Sequence, residues 1–453
     1  MFLFFNLISL YYDLKEQKFL CIISEPSLEK GVNMNYCKEK LSYNSIYDLY
    51  KKGCKTEKNI GLEYERIPVD RKTFESVSYY GFYGVCELLK EFASIDNWDY
   101  ILDGEEIIGL KKLHDTITLE PGSQIEMSLE PQKNVLELKR KVEQIDSVLT
   151  LLLDKYGIKL LNYGVSPIST YKNISLIPKG RYKYMAEYLW GILSDVMMRE
   201  TAGIQVGIDF DSEEDAMAKM FTANIMSPFM TAMYANSSIR GGVDTGYKSF
   251  RGLAWLNTDN ERCGFATNLR PDLLFDNYIN SVLESPMIFI QRGKNLIYIN
   301  GKITFKQFMK YGYQGYEADI EDYKLQANLF FPDVRLRQFI EIRNHDCVGG
   351  GLEYSIPAIY KGIMYNKDAM LEVWQLLKNC TKNDIEEFRF NVPRTALDTK
   401  IKGISAKDIA IEIQNIAYQS LDSQSDNDSE FILPIMELTK QGLTPADVMK
   451  SCL

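Results

Sequence analysis

The sequence predicts an antiparallel β-sheet with one apolar and one wet face, backed by helices. Residues 60–69, 116–131, 201–210 and 332–346 alternate apolar and polar side chains with a period of two, the pattern of half-buried strands. Their polar positions hold acids, amides and arginines, where an ordinary surface strand places Lys or Thr as readily. Stretches with helical spacing lie between them. Sheets with one wet face are usually antiparallel, and helices then cover the apolar side.

Residues 34–58 are polar with a weak helical period. In IGLEYERIPV, Leu62 and Tyr64 share one face and Glu63 and Glu65 the other. Residues 79–93 have helical spacing, and 101–110 read as a hairpin through Asp103-Gly104. The stretch TITLEPGSQIEMSLEP, 116–131, is two short strands meeting at Pro121-Gly122, where the glycine is expected to take a positive φ. Glu120 and Glu126 leave its polar side beside Gln124. Residues 134–156 form a long helix with Leu138, Val142, Ile145, Leu149 and Leu152 as its stripe and Gly157 as its cap. A strand near 160–165, a basic loop IPKGRY and a helix over 182–199 follow.

In the strand over 201–210, Gln205 and Asp209 oppose Ile204, Val206 and Ile208. Ser212 and Asp215 read as a capping box for a helix that continues past Pro228 to Asn236. Residues 237–264 read as a long loop, of the kind that is usually functional. PDVRLRQFIEIRNHD, 332–346, reads as one strand with Val334, Leu336, Ile340 and Ile342 opposite Arg335, Arg337, Glu341 and Arg343. Gly349, Gly350 and Gly351 are expected to let backbone approach a ligand closely. Residues 422–430 read as a polar linker and 431–450 as a last helical piece.

Composition removes several function classes. A chain of 453 residues, 45% apolar, can bury a large core, and a net charge of -10 argues against a nucleic-acid partner. The eight cysteines are scattered without a C-x-x-C pair, as expected for a reduced, cytoplasmic protein without a zinc site. With only His114 and His345, a His-rich metal site or a Ser-His-Asp triad is hard to build, and both histidines are expected to be bystanders. No stretch is long enough to span a membrane. The apolar start lacks a basic n-region and meets Asp13 and Lys15, so it fails as a signal peptide. Residues 1–33 are expected to be an extension outside the folded unit.

If the alternating strands share a sheet, its wet face lines a cavity with Glu63, Glu65, Glu120, Glu126, Gln205, Asp209, Glu341, Arg335 and Arg343. Grouped carboxylates repel unless a cation sits among them. Mg²⁺ takes carboxylate oxygens and keeps positions open for phosphate oxygens, and arginine forks onto phosphate. The residues therefore point to a Mg²⁺–nucleotide site and phosphoryl transfer. No G-x-x-x-x-G-K-[ST], G-x-G-x-x-G or kinase signature set is present.

These residues also carry a resemblance. GLEYER, LEPGSQIEMS, IPKGRYKYM, TAGIQVGIDFDSEEDAMAK, YANSSIRGG, KSFRGLAWLNTDNERCGF, FPDVRLRQFIEIRNHD and QGLTPAD occur in order over about 60–449. Together they resemble plant-type glutamate–cysteine ligases, a class also found in bacteria. The resemblance implies an α+β, glutamine-synthetase-like carboxylate–amine ligase fold, with a curved antiparallel sheet, and makes 34–453 a single catalytic domain. It implies that ATP phosphorylates the side-chain carboxylate of L-glutamate and that the amine of L-cysteine displaces phosphate, the first step of glutathione biosynthesis. The implied cofactors are ATP and Mg²⁺.

On this reading Glu63, Glu65, Glu120, Glu126 and Glu341 hold metal, and Gln205 and Asp209 orient metal or glutamate. Arg251 and Trp255 contact substrate, Lys179 and Arg181 bind phosphate or carboxylate, and Arg335 and Arg343 clamp ATP. Glu63, Glu120 and Arg343 are the expected catalytic set. The chain departs from the family pattern at Tyr64, where histidine is frequent, at Gly207, which ends a QVN-type strand, and at NHDCVGGG in place of GADGG. It has no clear counterparts of the regulatory cysteine pairs found in plant members. Two alternatives remain: a ligase for another amine, and a non-catalytic nucleotide-binding descendant. A monomer or a homodimer is expected, with small-molecule substrates.

Overall fold

The computed structural model describes residues 41–424 and 426–450. The expected extension and its boundary at Met34 lie outside the described residues. A nine-stranded sheet organises the rest. Its strands are β1 (Ile60–Asp70), β2 (Asp99–Asp103), β3 (Glu106–Lys112), β4 (Asp115–Leu119), β5 (Ile125–Gln132), β6 (Ile158–Leu161), β7 (Gly203–Ile208), β8 (Val334–Leu336) and β9 (Ile340–Asp346). The order is β8-β9-β7-β1-β5-β4-β3-β2, with β6 on the far half of β1, and every pairing is antiparallel.

Register puts the polar residues in one row. Glu63 faces Ser128 on β5 and Gln205 on β7, while Glu65 faces Glu126. On the opposite face Leu62, Tyr64, Met127, Ile204, Val206 and Ile342 are buried. Helices cover that side, among them α1 (Val135–Tyr156) on β1, β5 and β6; α2 (Glu213–Met233) on β8 and β9; and α3 (Leu352–Met364) on β1 and β7. The sequence dictates their ends. Asn134 accepts the Glu137 amide and Gly157 closes α1 at φ 65°. Arg66, buried on the apolar side, forks onto Asp146 of α1 at 2.7 and 3.0 Å and ties that helix to the sheet.

Several expectations need correction. Ser123, not Gly122, carries the positive φ of the 120–124 turn. Gly122 instead lies against the Arg199 carbonyl, where a Cβ would sit 2.1 Å from the oxygen. The Gln124 amide is spent locking this turn, on Gly122 and Thr201. The 332–346 stretch is a hairpin, not one strand, with Arg335 opposite Glu341. The long loop contains a helix, α4 (Phe250–Leu256), whose cap is Ser249. IPKGRY starts a helix at Gly180, and the helix expected over 182–199 is two. Ser212 caps α2 through the Asp215 amide, but the Asp215 carboxylate takes the Asp211 amide, so the box is half formed. Asp428 in the supposed linker is buried, accepting the Val135 amide and pairing with Lys361 at 2.6 Å.

Candidate active site

The wet face floors a cavity of about 330 Å³. Glu63, Glu65, Glu120, Glu126, Gln205, Glu341, Arg335 and Arg343 all line it, as do Lys179, Arg181, Arg251 and Trp255. Asp209 does not. It shares the parity of Gln205 but lies past the end of β7, where it pairs with Lys55 at 2.8 Å and accepts the Asn59 amide. The triple glycine also misses the cavity: a Cβ on Gly349 would meet the Asn162 side chain, away from any lining residue.

The acids fall into three groups by what already holds them. Among the described residues, the Glu63 and Glu120 carboxylates accept no hydrogen bond. Glu65 accepts from the Gly203 amide at 2.6 Å and from Gln205 at 2.7 Å, and Glu126 from Ser128 at 2.7 Å and Thr118 at 3.3 Å. Glu341 is taken up by arginine: Arg335 forks onto it, and Arg343 approaches at 3.2 Å. Burial, then Glu341 and Glu126, push the Glu63 carboxyl well above its usual range. Burial, then Glu120 and Glu126, push Glu65 up to about 7. Burial and Glu120 raise Glu126. Burial also acts to raise Glu341, but Arg335, Arg337 and Arg343 outweigh it and hold that carboxyl well below the usual range.

A relay sets the central arginine. Glu65 holds the Gln205 amide, and Gln205 in turn accepts from Arg343. The Arg343 carbonyl accepts from Arg251 at 2.9 Å. Arg251 lies directly on β7 because Gly203 has no side chain; a Cβ there would be 2.4 Å from its guanidinium. Helix α4, which carries Arg251 and Trp255, is fastened by buried Asp346. Asp346 accepts from Ser237 at 2.6 Å and Ser249 at 2.9 Å, and Ser237 accepts the Arg251 amide. The Trp255 indole N–H and the Nε of Arg181 and Arg251 are buried without hydrogen-bond partners among the described residues. Such donors suit an incoming carboxylate or phosphate. Lys179 and Arg181 flank the Tyr182 ring, with Lys179 4.9 Å and Arg181 5.3 Å from its centroid, and burial followed by Arg181 lowers Lys179 to about 8.

Sequence reasoning passed over Arg337, Ser128, Tyr182 and Asn328 as site residues, all of which line the cavity. Ser128 was marked by its period-two spacing from Glu126. Asn328 had no signal, because it belongs to a helix from a different part of the chain. Tyr64, where histidine is frequent, turns away from the cavity. Its hydroxyl donates to Asn162 at 2.8 Å and the Val348 carbonyl at 3.1 Å. His345 is buried between the Ile204 carbonyl and Tyr360 and is lowered by burial to about 3, so it stays neutral; it and exposed His114 both lie outside the cavity.

Among the described residues no three acidic, Cys or His side chains close on one point as a metal-binding group. Mg²⁺ sites are commonly completed by one or two carboxylates, substrate phosphates and water, and this cavity fits that pattern. Oxygen donors are present, two carboxylates accept no hydrogen bond among the described residues, and burial followed by neighbouring acids already raises Glu63, Glu65 and Glu126.

Antiparallel sheet, helical backing and a wet face of acids and arginines together define a carboxylate–amine ligase fold. A solved structure with this fold is glutamate–cysteine ligase from Francisella tularensis in complex with AMP; it aligns with TM-score 0.52 and 12% identity over 88% of this chain and 85% of that one. The family model described as glutamate-cysteine ligase family 2 matches residues 59–452, and the chain belongs to that family. Among curated relatives it is 29% identical over 434 residues to chloroplastic glutamate–cysteine ligase A of Oryza sativa subsp. indica, covering 94% of this chain and 87% of the relative. It is 30% identical over 417 residues to the chloroplastic enzyme of Nicotiana tabacum, covering 90% and 79%.

Proposed function

We propose that this cavity joins the γ-carboxylate of L-glutamate to the amine of L-cysteine, using ATP, as the first step of glutathione biosynthesis. A γ-carboxylate oxygen attacks the γ-phosphorus and ADP leaves. The amine then attacks the acyl carbon, phosphate departs and a proton is released. No protein nucleophile is needed; alignment and charge neutralisation carry the catalysis. The observation that carries this reading is the division of charge on one sheet face, with acids on β1 and β5 and arginines on β8 and β9.

Glu63 and Glu120, whose carboxylates accept no hydrogen bond among the described residues, would hold Mg²⁺ bound to ATP, with Glu65 and Glu126 beside them. When bound, Mg²⁺ neutralises phosphate charge and favours the transfer. Arg343, fixed by Gln205, contacts phosphate oxygens as charge moves during transfer. Arg251, Trp255 and Arg181 offer N–H donors to the substrate carboxylates. Glu341 is a metal ligand only if its arginines release it. As the chain stands, it holds them in place. A cytoplasmic location, from cysteine usage, is a separate proposal; the Oryza and Nicotiana relatives named above are chloroplastic.

Release of ADP, measured with glutamate alone and with glutamate plus single amino acids, tests the acceptor. Sustained turnover and γ-glutamylcysteine are expected only with cysteine. A better acceptor among the others would make the chain a ligase of different specificity, and no turnover with any would leave a nucleotide-binding descendant.

A further inference from the structure

Asp346 ends β9, does not line the cavity and is buried, yet it forms no ion pair among the described residues. Its hydrogen-bond partners all lie in the segment that leads into α4. Oδ2 accepts from the Asn236 amide at 2.8 Å and the Ser237 hydroxyl at 2.6 Å, and Oδ1 accepts from the Ser249 hydroxyl at 2.9 Å. Gly164 lies against this carboxylate; a Cβ there would be 2.7 Å from Cγ, so the group has little room to swing.

An ionised carboxylate only accepts hydrogen bonds, and each serine hydroxyl has a single proton to give. Asp346 takes both protons. The serine lone pairs are thereby left for α4, where Ser237 accepts the Arg251 amide at 3.1 Å and Ser249 the Gly252 amide at 3.0 Å. A helix of seven residues is marginal alone and depends on contacts from outside it. One buried charge therefore fixes two amides in the first turn of α4. Arg251 and Trp255 are four residues apart on that helix and share a face, so a shift of α4 moves them together.

Arg251 shows what this arrangement leaves open. It is buried, donates to the Arg343 carbonyl at 2.9 Å, and keeps an Nε without a hydrogen-bond partner among the described residues. Burial lowers it, and Glu65 and then Asp346 act against burial, although neither is within ion-pair distance. Burial likewise raises Asp346, and Arg251 is the strongest influence opposing that rise. Arg335 is the opposite case, because Glu341 takes its Nε and Nη2 donors directly. A counter-charge in contact consumes donors, whereas one held off by two serines leaves them available.

We infer that Asp346 is a positioning residue for the amino-acid substrates: through Ser237 and Ser249 it holds α4 in place and balances Arg251 from a distance, which keeps the guanidinium open to a substrate carboxylate. This rests on the ligase reading above and gives a role to a residue outside the cavity.

Steady-state kinetics of the full chain, varying glutamate, cysteine and ATP in turn, test the inference. Asp346→Asn keeps volume but puts N–H donors where an oxygen now accepts, so it cannot take both serine protons. It should raise KM for glutamate or for cysteine about 10-fold or more and leave KM for ATP within about 2-fold. Ser249→Ala keeps the charge and cuts one link, and should raise the same KM about 3-fold. It carries the test if Asp346→Asn does not fold. Arg251→Met should raise that KM in its own right, and adding Asp346→Asn to it should change KM less than about 2-fold further, because both act through one guanidinium. Additive effects in the double variant would overturn the inference. So would a folded Ser249→Ala with unchanged KM values, or an equal rise in KM for ATP. Wild type without turnover on glutamate and cysteine would remove the ligase reading and this inference with it.

Discussion

Glu63 on β1, half-buried, and Glu341 on β9, buried, both line the cavity and have only β7 between their strands. Burial pushes both carboxyls the same way, yet Glu63 ends high and Glu341 low. The difference is counter-charge. Three arginines of its own hairpin surround Glu341, whereas other acids crowd Glu63. One half of the wet face is neutralised by the fold and has arginine to spare. In the other half, burial and neighbouring acids raise Glu63, Glu65 and Glu126, and a cation arriving from outside would favour their ionised forms. A polyphosphate carrying Mg²⁺ matches both halves at once.

The sharpest way to break this comparison is to change each half while keeping shape. Glu63→Gln removes a charge that a bound Mg²⁺ would need, and Arg343→Lys keeps charge but loses the fork. Each is expected to lower kcat by roughly 10²- to 10³-fold in steady-state turnover with glutamate and cysteine. Melting should move little for Glu63→Gln, since a crowded acid is relieved.

Arg335→Met attacks the neutralised half. Removing one partner of a buried ion pair typically costs about 3 kcal/mol or more, and Glu341 keeps only its other two arginines. Denaturant unfolding should show that loss.

Smaller effects separate the halves by pH. Glu65 has an ordinary carboxyl value of 4.5 when unfolded and about 7 when folded. The folded chain therefore holds this proton where the unfolded chain has lost it. The resulting stability is complete below about 4.5 and disappears as pH rises through about 7. Melting temperature, measured without ligands, should fall more steeply between pH 5 and 8 in wild type than in Glu65→Gln. Equal slopes would show that Glu65 is not raised.

The smallest effect concerns redox. Cys54, Cys86, Cys263, Cys347 and Cys380 are free, and Cys347 is buried. Activity is expected to change less than about 2-fold with dithiothreitol. A several-fold change abolished by replacing Cys263 or Cys347 would contradict this.

Period-two alternation was enough to place the wet face, because parity survives any strand pairing that keeps the apolar row buried. Parity does not report position along a strand, which is why Asp209 was grouped with Gln205 although it lies beyond the cavity. Nor does it reveal a turn that preserves parity. Val334, Leu336, Ile340 and Ile342 stay on one face across the hairpin, and Arg337-Gln338-Phe339 has no Gly, Pro or Asn to mark the reversal. Helix α4 was hidden by its length and by Gly252, whose amide binds the Ser249 cap at 3.0 Å. Asp428 looked like part of a solvated acidic run because its partners, Lys361 and the start of α1, are remote in sequence.

The central claim is that the acid-rich half gathers a cation together with the nucleotide. Ligation rate as a function of free Mg²⁺, at saturating ATP, glutamate and cysteine, tests it most directly in Glu120→Gln. The Glu120 carboxylate accepts no hydrogen bond among the described residues, so Glu120→Gln removes a charge beside Glu65 and Glu126 and breaks no protein hydrogen bond. The half-activating Mg²⁺ concentration should rise about 10-fold or more, with kcat reduced even at high Mg²⁺. A folded Glu120→Gln with wild-type kcat and wild-type Mg²⁺ dependence would contradict the claim.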